Sequence, residues 1–240
     1  MDADARIPAA LQALGPVADR DVCVLDGADG GLAGQLLSLG GWIRVVPDAS
    51  PASLAAIPDD RADVLVSGWS GFQPGSPDWA EQLTAARRVL RPDGRLLVVH
   101  DYGRDEVTSL FSDPERAAER VSWSRPNGPF LGAGFRVRVL HCWWQWDTLA
   151  EATELLTNGF GDAGATVAAG MRRPRLAWKV AVYHLAMDMP EAVEATSGAA
   201  TRAAKASKAS NGVPKTPVAE TAAEPAPRRA APAAQQLASA

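Results

Sequence analysis

Asp21-Val22-Cys23-Val24-Leu25-Asp26, running into Gly27-Ala28-Asp29-Gly30-Gly31, is the stretch whose reading decides the fold. A short unbroken apolar run ending in an acid is the pattern of a strand buried on both faces. The glycines that follow mark a tight turn, and Leu32, Gln35, Leu36 and Leu39 then read as a helix stopped by Gly40-Gly41. Trp42 to Val46 reads as a second strand.

Working outward, Ser50 and Pro51 are the N-cap and first residue of a short helix. Asp63-Val64-Leu65-Val66-Ser67 is another buried strand. Trp79, Leu83, Ala86 and Leu90 fall on one face of a helix over 78–90. Pro92-Asp93-Gly94 reads as a turn, and Arg95 to His100 as a fourth strand. Strand and helix alternate, which predicts an α/β fold with a parallel sheet covered by helices on both faces. Beyond it, residues 104–132 hold one helix and a Pro/Gly-rich loop. Phe135 to Cys142 reads as a half-exposed strand, Leu149 to Leu156 as a helix, and Arg175 to His184 as a closing strand.

A glycine-rich turn between a strand and its helix lets backbone amides approach a ligand, and the helix N-terminus favours an anion or carboxylate. An acid at the end of the next strand is placed for ribose hydroxyls. Asp48 comes 22 positions after Asp26, close to the ~20 residues of the dinucleotide fingerprint.

With these segments in order, the chain resembles the class I S-adenosylmethionine-dependent methyltransferases. Val24 to Gly31 is similar to that family's first motif, Val46 to Pro51 to its second-strand ending, and Asp63 to Ser67 to its fourth strand. Leu90-Arg91-Pro92-Asp93-Gly94-Arg95-Leu96-Leu97-Val98-Val99 is the nearest match. The resemblance covers about residues 20–101 well and continues more loosely to about 186. It implies a Rossmann-like, mostly parallel sheet with an antiparallel last strand. It also implies S-adenosylmethionine as cofactor, a small-molecule substrate, and Asp26, Gly30 and Asp48 as cofactor contacts, with Ser67 at the neighbouring strand end. The sequence departs from the family in two places. Ala28 and Leu32 stand where glycines are usual, and only Asp59 to Ala62 separates the second helix from the next strand, where the family has a further strand and helix.

Ligands of open parallel sheets lie at the carboxyl ends of the strands. Those ends offer Ser67, Trp69, His100, Asp101, Tyr102 and His141. His100-Asp101-Tyr102 is the most reactive set, an imidazole or phenol beside a carboxylate being suited to general-base work on a hydroxyl or amine. The alternative is that Asp101 bonds loop amides and His100 is an interior histidine. Trp143, Trp144 and Trp146 close a core or contact a homo-oligomeric or protein partner more often than they line a pocket. Arg172-Arg173-Pro174-Arg175 is a short basic patch.

The whole chain carries a net charge of −4. Its last segment, 196–240, rich in Ala, Pro, Ser, Thr and Lys, holds Arg202, Lys205, Lys208, Lys215, Arg228 and Arg229 against Glu220 and Glu224, a net of +4 that leaves −8 for residues 1–195. An acidic body argues against nucleic acid. The tail lacks the apolar residues needed to offset ordering, so residues 1–187 are expected to form one domain and 188–240 a disordered tail. The two cysteines, Cys23 and Cys142, lie in apolar surroundings and suggest neither a disulfide framework nor a metal site. An acidic start and no long apolar run point to the cytoplasm and away from a membrane.

Three functions compete: a small-molecule methyltransferase, a degenerate non-catalytic interaction module of the same fold, and a nicotinamide-dependent oxidoreductase. The last is disfavoured because G-x-G-x-x-G is incomplete. A P-loop phosphotransferase is likewise disfavoured, since no G-x-x-x-x-G-K-[ST] motif occurs.

Overall fold

A computed structural model describes residues 5–25, 31–69, 71–111 and 113–187, with the side chains of Pro114, Arg116 and Ala117 excepted. Asp26, Gly30, the turn between them and the segment 188–240 lie outside the described residues.

Six strands form one sheet: β1 (Asp21–Leu25), β2 (Trp42–Val46), β3 (Ala62–Gly68), β4 (Leu90–Asp101), β5 (Arg136–Gln145) and β6 (Arg175–Ala186). Their order is β2-β1-β3-β4-β6-β5. The β1–β2, β1–β3 and β3–β4 pairs are parallel, whereas β6 runs antiparallel to both β4 and β5. The first four strands follow the Rossmann order with its outermost strand left out, and no strand lies between β2 and β3 among the described residues. The fold is therefore Rossmann-like α/β, and the unit that the short 59–62 connection left no room for is absent there. As a result β2 is an edge, and Trp42 at its start is 64% exposed.

Alternation along the buried strands sends side chains to two cores. Val22, Val24, Val64, Val66, Leu97 and Val99 face α1 (Arg6–Leu14), α2 (Gly31–Leu37) and α7 (Leu149–Gly170). Cys23, Leu25, Leu65, Leu96 and Val98 face α3 (Pro51–Ala55), α4 (Trp79–Val89), α5 (Pro114–Trp123) and α6 (Pro129–Gly132). Both cysteines are free and buried, one in each core. Ser50 caps α3, its hydroxyl accepting from the Ser53 amide at 3.2 Å. At the amino ends of the strands Arg91 clasps two chain segments, donating to Asp21 at 2.7 Å and Asp63 at 2.8 Å.

Several elements differ from the sequence expectation. Helix α1 was not read from the sequence. Pro92-Asp93-Gly94 does not precede β4 but sits within it. Leu90 pairs with Ala62 and Arg95 with Val64, so the extra residues bulge out of the ladder. Strand β5 runs three residues past Cys142 and takes in Trp143 and Trp144. Helix α7 continues to Gly170, folding back at Gly161, where φ is 56°.

Candidate functional site at the carboxyl edge of the sheet

The point where the chain turns from β1 toward β2 on one side and β3 on the other is the crevice in which doubly wound folds hold ligands. Asp48 lies just past β2 and is exposed; its Oδ1 accepts from the Ser50 amide at 2.9 Å. Hydrogen bonds from Ser50 and Ser53 hold its carboxyl below the usual carboxylate range, so it is ionised at neutral pH. Ser67, at the end of β3, is fully buried. Above it the chain doubles back. A Cβ on Gly71 would stand 2.4 Å from both the Ala49 Cβ and the Ser67 Oγ, so Gly71 fills the gap between the ends of β2 and β3. Gln82 of α4 pins the same place by donating to the Ala49 carbonyl at 2.9 Å.

The other side of the crevice is also close-packed. A Cβ on Gly68 would come within 3.3 Å of Leu32 Cδ2. Leu32 therefore lies over the end of β3, where the sequence departs from the glycine pattern. The loop after β3 has two non-glycine residues in the left-handed region, Trp69 (φ 60°) and Phe72 (φ 53°). Such backbones persist only where surrounding contacts hold them. Phe72 is held by complete burial in the α3–α6 core.

Trp69 is held by Asp101. The Asp101 carboxylate accepts from Trp178 Nε1 at 3.0 Å and Trp69 Nε1 at 3.3 Å, and pairs with Arg120 at 2.7 Å. The two indoles stack with ring centroids 6.0 Å apart. Burial raises the Asp101 carboxyl above its ordinary value, while Arg120 and the indole hydrogen bonds act against the rise. Three donors occupying one carboxylate make it a brace joining β3, β4, α5 and β6.

His100 and Asp101 are successive strand residues and point to opposite faces, so the sequence triplet does not act as one constellation. His100 is packed edge-on to Trp123 at 5.0 Å, and its Nε2 has no hydrogen-bond partner among the described residues. Burial drives its pKa down to about 4, leaving it neutral at pH 7. Tyr102 is half-buried, with the Arg104 guanidinium 5.2 Å from its ring centroid. It is more accessible than His100. His141 is exposed within β5, and its carbonyl accepts from Arg6 at 2.7 Å.

The tryptophan run divides by alternation. Trp144 is buried against Trp178 and Phe160, whereas Trp143 is half-buried with the Arg175 guanidinium 4.4 Å above its ring. The Asp101–Trp69–Trp178 cluster was not read from the sequence. Its members lie far apart along the chain, and only an acid at one strand end and a tryptophan past another hinted at it.

No protein-family model matches the sequence, and no curated protein matches it. Among solved structures, a candidate type II methyltransferase from Anaeromyxobacter dehalogenans is 15% identical, with TM-score 0.47 over 75% of this chain and 96% of that one. An S-adenosylmethionine-dependent methyltransferase from Mesorhizobium loti is 16% identical, with TM-score 0.38 over 75% and 99%. A similar enzyme from Aquifex aeolicus is 14% identical, with TM-score 0.41 over 76% and 94%. The fold assignment rests on the strand order and pairing given above.

Proposed function

We propose that the protein binds S-adenosylmethionine at the β1/β3 crossing point and transfers its methyl group to a small molecule. The observation that carries this reading is Asp48, an exposed, ionised carboxylate fixed at the carboxyl end of β2, two residues past Val46, which pairs with Leu25 at the end of β1. An acceptor so placed suits ribose hydroxyls. A groove of about 310 Å³ adjoins it through Pro47; Val45, Val46, Ala56 and Ile57 give it an apolar wall for a flat ring, with Arg44 and Ser53 as its polar members. The described residues thus fit the ribose end of the cofactor, whereas Ser67, covered by Gly71, makes no contact with it in this arrangement. When bound, the cofactor supplies an electrophilic methyl group, so the protein's task is to position the acceptor and exclude water. Of the three residues at the end of β4, Tyr102 is the one placed to touch an acceptor. His100 is enclosed by aromatic rings, and Asp101 is engaged by three donors.

A second reading, a non-catalytic interaction module of the same fold, is favoured by one observation: Leu32 and Gly71 close the crevice from both sides. Isothermal titration with S-adenosylmethionine and with its demethylated product separates the two. Saturable heat and a rise in melting temperature support the enzyme. Absence of both at millimolar ligand sinks it, and a stable oligomer or partner complex would then support the module.

A further inference from the structure

A groove of about 610 Å³ lies at the opposite edge of the sheet from β2. It is bounded by the 3-10 turn Val107–Leu110, the end of α7 and the junction of β5 with β6. Its volume falls within the ~300–1,000 Å³ of small-molecule sites. Arg172, Arg173 and Arg175 all line it, together with Trp143 and the hydroxyl-bearing Ser109 and Thr166.

Among the described residues none of these three guanidiniums forms an ion pair. Arg175 instead lies over the Trp143 ring at 4.4 Å, which holds the guanidinium plane in place. The one acid in the wall, Glu106, turns its carboxylate to the Ala177 amide. The carbonyl end of α7 at Gly170 carries about half an elementary charge. It balances only part of one arginine, and the groove keeps an excess of positive charge in a chain whose total is −4.

We infer that this groove binds a small anion bearing phosphate or clustered carboxylate groups. Guanidinium forks match both groups in bidentate geometry. The groove's volume and the chain's net negative charge favour a small ligand over a nucleic acid, which needs an extended basic surface. The inference does not rest on the cofactor reading.

The test is calorimetric titration of the full chain with pyrophosphate, inorganic phosphate and citrate, the three probes separating phosphate from carboxylate sources. Saturable one-site binding that persists at ~0.15 M salt is expected for at least one of them. R172Q/R173Q, which leaves the Arg175–Trp143 stack intact, should weaken it at least about tenfold, as loss of charged hydrogen bonds requires. R175Q serves as an independent second variant, and circular dichroism checks that both fold. Asp48→Asn should leave anion binding unchanged, so a failed cofactor titration and a failed anion titration are separate results. No saturable heat with any probe overturns the inference. So does equal binding by the folded double variant, or tighter binding of an oligonucleotide than of every small anion.

Discussion

Replacing His100 by leucine should change how the protein responds to acid more than how it behaves at neutral pH. Burial lowers the His100 pKa from 6.5 to about 4, and the Arg120 charge adds to the shift, while backbone hydrogen bonding at Phe72, Gly71 and Trp69 opposes it. The folded-state pKa lies below the unfolded one, so between these values the unfolded chain binds the extra proton. The stability tied to the neutral ring is therefore complete above about pH 6.5 and is lost as pH falls through 4. At about 1.4 kcal/mol per pH unit this gap is worth about 3 kcal/mol. His184, also lowered chiefly by burial, acts in the same direction. Asp101, raised, acts in the opposite one as it protonates. Both remain in the variant, so the difference between the two proteins isolates His100. Urea unfolding followed by tryptophan fluorescence between about pH 7.5 and 4.5 measures it. Wild type should lose up to about 3 kcal/mol more than His100→Leu across that range. Parallel profiles would refute the buried neutral imidazole and reopen His100 as an accessible base.

Gly71→Ala pushes a methyl group against Ala49 and Ser67 at 2.4 Å and should cost about 1–3 kcal/mol by overpacking, seen as a lower urea midpoint. An unchanged midpoint would mean that the loop stands clear of the crevice in solution. Asp48→Asn should weaken S-adenosylmethionine binding about tenfold, as loss of a charged acceptor for ribose predicts, with little change in melting temperature. Trp144→Ala should cost about 3–5 kcal/mol as a buried aromatic. Trp143→Ala should cost less because the ring is half-buried, and equal losses would place both rings in the core.

The parallel half of the fold was legible because each buried strand is a compact apolar run bounded by turn residues, as in Asp63 to Ser67. The absent outer strand was legible too, since four residues cannot hold a strand and a helix. Leu149 to Leu156 reads as a helix, whereas α7 runs on past three glycines to Gly170 with a kink at Gly161. Gly94, read as a turn, lies in a bulge where a Cβ would meet the Arg91 carbonyl at 2.8 Å. The site was half legible. Asp48 follows from strand order and spacing, and the opposed directions of His100 and Asp101 follow from the period of a strand. That Asp101 joins Trp69 and Trp178 depends on the β3–β4–β6 pairing, which local sequence does not encode.

Loss of the outer strand unit and closure of the crevice are connected through the loop after β3. In a sheet that keeps its outer strand, the far wall of a ligand crevice is built beyond β2. Here β2 is the edge, and the loop after β3 folds back so that Gly71 meets Ala49 instead. That turn requires left-handed backbones at Trp69 and Phe72, an arrangement held by the Asp101 hydrogen bond on one face and burial of Phe72 on the other. The loop is thus strained locally and fixed globally, the condition in which strain accompanies function. A cofactor that extended from Asp48 to Ser67 would displace Gly71 and release both left-handed residues, so the energy of that further contact would be offset by the Trp69–Asp101 and Phe72 contacts that must break. The question of catalysis or scaffold therefore turns on whether ligand contacts at Asp48 and the glycine-rich turn outweigh those two anchors.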